Sequence, residues 1–120
     1  RQNVLEIIRT GRELNIPMVF LTQPSLFEDT EYWQTIQGGD YWMTQMRLSI
    51  SAATQWRMQE IFNQALIKIC AQERIPCLDL GARIPHDSNY FYDSTHFTEA
   101  GAALVAQELR AFLESEGLVP

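Results

Sequence analysis

The sequence predicts an α/β fold with parallel strands, and two observations carry that prediction. The first is an internal echo: ELNIPMVFL at residues 13–21 is answered by QERIPCLDL at residues 72–80. Each reads as a helix end, a short Ile-Pro connector and a strand, the order found in right-handed crossovers between parallel strands. The second is that the first of these runs, Met18 to Thr22, lacks polar alternation, as expected of a strand covered on both faces. Two copies are too few for a solenoid. A chain of 120 residues holds one domain and buries roughly two-thirds of its unfolded surface.

The elements follow in order. Val4, Ile7, Ile8, Gly11 and Leu14 recur at helical spacing, which predicts a helix over residues 3–14. Gly11 on its buried face would allow a close approach to whatever lies beneath. Asn15-Ile16-Pro17 ends the helix, because Pro disfavours helix at the preceding residue. Met18 to Thr22 is the first strand, stopped by Gln23-Pro24-Ser25. Residues 24–51 hold Phe27, Tyr32, Trp33, Tyr41 and Trp42 and form a connection too long for a turn, so a functional loop or lid is expected there. A second helix is expected over residues 52–73, with Met58, Ile61, Phe62, Ala65 and Ile69 as its buried stripe and Ser51 or Thr54 as its cap. Cys77 to Leu80 is the second strand. Residues 81–97 form another loop. Thr98 caps a last helix with Glu99 in its first turn, and Ala102, Val105, Leu109, Phe112 and Leu113 make its stripe until Gly117 stops it. Two strands cannot make a stable covered sheet and three helices leave an edge open. The pattern is therefore that of the carboxyl half of a three-layer α/β/α domain, or of a chain that pairs with a second copy. The opening residue is Arg1, not Met, and the segment after it is amphipathic, not a signal peptide. The chain is expected to belong to a longer polypeptide.

Composition narrows the function. Hydrophobic residues make up 46% and charged residues 20%, with 6 Gly and 5 Pro, which excludes disordered, collagen-like and low-complexity chains. No run of about 18 apolar residues occurs, so no transmembrane helix is expected. The net charge of −6 and the scatter of the arginines argue against sequence-independent nucleic-acid binding. The two cysteines, Cys70 and Cys77, make neither a disulfide framework nor a zinc pattern and read as small buried hydrophobes. Their usage leans towards a soluble protein of a reducing compartment such as the cytoplasm, without assigning one.

The informative segment is Tyr92-Asp93-Ser94-Thr95-His96-Phe97. An Asp and a His three apart in one loop can hydrogen-bond, the carboxylate accepting from Nδ1 while Nε2 faces outward as a general base. The plainer alternative makes Asp93 a turn residue and His96 a polar group before a helix. His86, Asp87, Asp93 and His96 also invite a metal reading, but no HxH or HExxH spacing is present. No metal site is expected.

FYDSTHFTEAGAALVAQEL resembles the last block of the SGNH (GDSL-type) hydrolase superfamily, Asp-x-x-His followed by a hydrophobic residue and a Gly-containing helix. Phe62-Asn63-Gln64-Ala65-Leu66 is similar to that family's helix before the penultimate strand. Val19-Phe20-Leu21-Thr22-Gln23-Pro24 is similar to its preceding strand and exit. The resemblance runs from about Asn3 to Leu113. It implies a flavodoxin-like α/β/α fold and a serine hydrolase of acyl esters of lipids, sugars or related compounds. Asp93 would orient His96, His96 would deprotonate a serine, and no metal or organic cofactor would be used.

The departures matter equally. The family's Gly-Asp-Ser nucleophile and Gly-x-Asn-Asp oxyanion block are not in this chain, and Ser25, Ser49, Ser51, Ser88, Ser94 and Ser115 lie in no such setting. Asn63 and Asn89 are in no Gly-x-Asn frame. The expectation is that the nucleophile and oxyanion donors lie upstream, and that this chain alone is inactive. Trp33, Trp42 and Tyr92 are candidate walls of an acyl or sugar pocket. The rival reading is a non-catalytic α/β binding or interaction module that uses the aromatic loop, in which Asp93 and His96 are dispensable. A homodimer, or association with a missing amino-terminal half, would cover the open sheet edge.

Overall fold

The computed structural model describes residues 1–26 and 52–119. Among them, three helices alternate with a two-stranded parallel sheet, a mixed α/β arrangement. The order is α1 (Gln2–Glu13), β1 (Phe20–Leu21), α2 (Ala52–Glu73), β2 (Cys77–Leu78) and α3 (Glu99–Ser115). Phe20 pairs with Cys77 and Leu21 with Leu78. The N–H groups of Phe20 and Thr22 donate to the carbonyls of Pro76 and Leu78, each at 3.0 Å.

Both strands are shorter than the apolar runs suggest. Pro17 and Pro76 have no N–H with which to begin a ladder. Beyond Leu78 the chain turns on itself, Leu80 N–H donating to the Leu78 carbonyl at 2.9 Å.

The echoed Ile-Pro segments fold alike. Asn15 and Arg74 both adopt the left-handed region, at φ 52° and 55°. Asn15 N–H returns to the Arg12 carbonyl and Ile16 N–H to that of Gly11, while Arg74 returns to Ala71 and Ile75 to Cys70. Both helices thus close with the paired bonds of a Schellman cap, which satisfies carbonyls that helix termination orphans.

The helix stripes require correction. On α1 the buried positions are Ile8 and Gly11; Ile7 and Leu14 are exposed and line an open apolar groove with Ile16 and Met18. A Cβ on Gly11 would stand 2.2 Å from Met18 Sδ, so the glycine is what admits that side chain. On α2 the expected stripe is largely outward: Ile61 is 67% and Phe62 66% exposed, and Met58 and Ala65 are also exposed. The buried positions are Asn63, Ile69 and Cys70. The helix is apolar on several sides, so hydropathy alone does not choose its inner face. On α3, Leu104, Val105, Leu109 and Phe112 pack inward, whereas Ala102 is exposed. Thr98 caps α3 by accepting from Gly101 N–H, as its sequence predicts. The expected cap Ser51 lies outside the described residues, and Thr54 lies within α2.

The main core joins Leu26, Leu78, Leu80, Ile84 and Phe91 to the inner residues of α3. Successive β2 side chains take opposite directions. Leu78 enters this core, while the Cys77 thiol meets that of Cys70 on α2.

Candidate functional site

The carboxyl ends of parallel strands are where α/β sheets bind ligands, and the polar side chains gather there. Thr22 Oγ1 donates to Asp79 Oδ1 at 2.7 Å and accepts from Gly81 N–H at 2.8 Å, tying the two strand exits together. Buried Asn63 reaches across from α2 and pairs with the main chain of Gln23: its Oδ1 accepts from Gln23 N–H and its Nδ2 donates to the Gln23 carbonyl, both at 3.0 Å. Gln59 Nε2 steadies that Oδ1 at 3.2 Å. The segment leaving β1 is therefore fixed before it reaches buried Pro24, Ser25 and Leu26.

Two contacts join this segment to the loops after β2. His86 Nδ1 bonds the Ser25 carbonyl at 2.5 Å. Leu26 N–H donates to the Ser94 carbonyl at 3.0 Å. Since a carbonyl only accepts, His86 carries its proton on Nδ1.

The loop that holds Asp93 and His96 is a small hairpin. Phe91 and Phe97 form an antiparallel bridge, their ring centroids 5.0 Å apart, with Phe91 fully buried. Tyr92 N–H donates to the His96 carbonyl at 3.1 Å and Thr98 N–H to that of Tyr90 at 3.0 Å. Helix α3 presses onto this hairpin so tightly that a Cβ on Gly101 would lie 2.1 Å from the Tyr90 carbonyl oxygen. Only glycine fits there.

Within the hairpin, Asp93 Oδ1 accepts from the N–H groups of Thr95 and His96 at 2.9 and 2.8 Å. This is the turn that Asp commonly builds. The same carboxylate meets His96 Nδ1, at 2.9 Å from Oδ1 and 2.7 Å from Oδ2. The turn role and the pairing role are thus one arrangement. Only 11% of the Asp93 side chain is exposed, against 55% of the His96 side chain. Burial pushes the Asp93 carboxyl up, but the Thr95 and His96 N–H groups and the imidazole outweigh it and hold it below its ordinary value. A neutral imidazole held through Nδ1–H carries its free lone pair on Nε2. No described residue hydrogen-bonds to that nitrogen. The Tyr92 ring stacks on His96, centroids 5.5 Å apart and planes 13° from parallel. It is the one expected pocket residue that the structure brings to the pair; Trp33 and Trp42 lie outside the described residues.

Of the described serines, Ser25 is buried and the Ser115 hydroxyl donates to the Phe112 carbonyl, so neither is placed as a partner of His96. Burial raises both thiols, Cys77 to about 12, so neither is activated as a nucleophile. Among the described residues no group of three or more His, Cys, Asp or Glu side chains is placed to hold a metal ion. No helix there is long and apolar enough to cross a membrane.

Thr22, Asn63, Asp79 and His86 build this corner without a sequence motif of their own. Asn63 carried a signal only as part of the Phe62-Asn63 pair, which did not indicate its bonds to Gln23. Comparison of the chain with protein-family models, curated proteins and solved structures finds no match.

Proposed function

We propose that this chain carries the base and orienting acid of a serine hydrolase of the SGNH (GDSL) type. The observation that supports it best is the asymmetry of the pair: an ionised Asp93, its side chain largely covered, holds Nδ1 of His96 and leaves Nε2 at the surface. The alternation of helices with parallel strands, and the position of the pair at their carboxyl ends, fit a flavodoxin-like three-layer α/β/α domain.

In this reading His96 Nε2 takes the proton of a serine hydroxyl as its oxygen adds to the ester carbonyl. Asp93 stabilises the resulting imidazolium without taking the proton itself. The imidazolium returns that proton to the departing alkoxide, and water then repeats the sequence on the acyl-enzyme. The nucleophile and the oxyanion donors come from a segment outside this chain, so the chain alone lacks turnover. The peptide groups of Val19 and Leu21 face the edge of β1 that is unpaired among the described residues, where that segment's strands, or a second copy of the chain, would add. The substrate is an acyl ester with a lipid or carbohydrate portion, and Tyr92 lines its site. No metal or cofactor takes part.

The test is hydrolysis of a short-chain p-nitrophenyl ester by the complete polypeptide across pH. An imidazolium cannot accept a proton, so the rate falls on the acid side as His96 is protonated. A rate independent of pH there, or no hydrolysis of any acyl ester offered, contradicts the proposal.

A further inference from the structure

We infer that His86 is a positioning residue for the Asp93–His96 pair, acting on it through two peptide planes. Its catalytic consequence rests on the hydrolase reading; its geometry does not. His86 Nδ1–H donates to the Ser25 carbonyl. The N–H on the opposite edge of that same peptide unit, that of Leu26, donates to the Ser94 carbonyl at 3.0 Å. The N–H of the next unit, that of Thr95, donates to Asp93 Oδ1 at 2.9 Å. Asp93 in turn holds His96 Nδ1.

Each peptide unit is planar, with its C=O and N–H on opposite edges, so it passes orientation from one bond to the next. Every donor in this chain points towards the carboxylate. Each bond polarises the one after it, and the sum favours the anion that orients His96. Burial of Ser25 and Leu26 strengthens the first links by keeping water from them. His86 is itself held in place: Tyr90 and Phe91 N–H both donate to the Asp87 carbonyl, at 3.2 and 3.0 Å, and Asn89 N–H to Asp87 Oδ1 at 2.8 Å. The loop from residue 85 to 91 thus presents the imidazole to Ser25.

Two variants separate a donor from a spacer. His86→Leu fills the place without a donor; His86→Asn returns an N–H near the position of Nδ1. Two readouts are taken. Ring ¹H–¹⁵N correlation spectra of the complete polypeptide report the His96 tautomer. Steady-state ester hydrolysis by the complete polypeptide reports kcat and KM. In His86→Leu, His96 passes from the Nδ1–H tautomer to a mixture. In the same variant kcat falls about tenfold, the rate equivalent of one net hydrogen bond, with KM within about twofold. His86→Asn restores both. An unchanged tautomer in folded His86→Leu overturns the inference, as does an Asn variant no better than Leu. Loss of the fold in both variants also overturns it, because His86 is then only structural. If the wild-type polypeptide hydrolyses no ester, the hydrolase reading fails and the tautomer readout alone decides the relay.

Discussion

On the approach to each strand, Asn15-Ile16-Pro17 and Arg74-Ile75-Pro76 build the same left-handed cap with the same pair of backbone bonds. On the way out nothing repeats. The exit from β1 is held by Asn63 of α2, and the exit from β2 runs through His86 to the hairpin of Asp93 and His96. The approaches match because ending a helix and starting a strand is a backbone problem with few solutions. The exits differ because there side chains bond to backbone distant in sequence, and those bonds shape a surface on which chemistry can differ.

The comparison breaks most sharply at the exits. In the complete polypeptide, Asp93→Asn lowers kcat about 10³–10⁴-fold, since an amide no longer fixes the Nδ1–H tautomer. A loss below tenfold in ester hydrolysis separates this Asp from the chemistry. Asn63→Ala removes both bonds to Gln23 and costs about 2 kcal/mol in the urea unfolding of this chain. An unchanged midpoint means the exit from β1 is held by packing alone.

At the approaches the effects are smaller and of opposite sign. Arg74→Gly relieves a left-handed residue that carries a Cβ and stabilises by about 1 kcal/mol. Asn15→Gly gains less than half of that, because Asn tolerates this conformation. Equal thermal shifts at the two positions contradict the difference in strain drawn between Arg74 and Asn15, and a loss of stability in either variant contradicts the shared cap. The smallest effect is in acid. The folded-state pKa of Asp93 is lowered, so its contribution to stability is fully present above the ordinary carboxylate pKa. It is lost as pH falls below that value and through the folded one. Stability therefore drops less steeply on this acid limb in Asp93→Asn than in the wild type, and parallel limbs contradict the assignment.

Much of the α/β order was legible in the sequence, because the Ile-Pro echo, the Thr98 cap and the Gly117 stop are local signals. The spacing of Asp93 and His96 was legible for the same reason: one turn joins them. The inner face of α2 was not, because Ile61 and Phe62 are as apolar as Ile69 and only tertiary packing ranks them. The contacts of Thr22, Asn63 and His86 were hidden because their partners are distant in sequence, at Asp79, Gln23 and Ser25.

The most direct measurement is fluorophosphonate labelling of the complete polypeptide, read by peptide mass spectrometry, with and without His96→Ala. The account predicts an adduct on a serine outside these 120 residues, formed in the wild type and lost in the variant. No adduct in the wild type, or an equal adduct in both proteins, contradicts it; the hairpin of Asp93 and His96 is then a structural turn on a binding module.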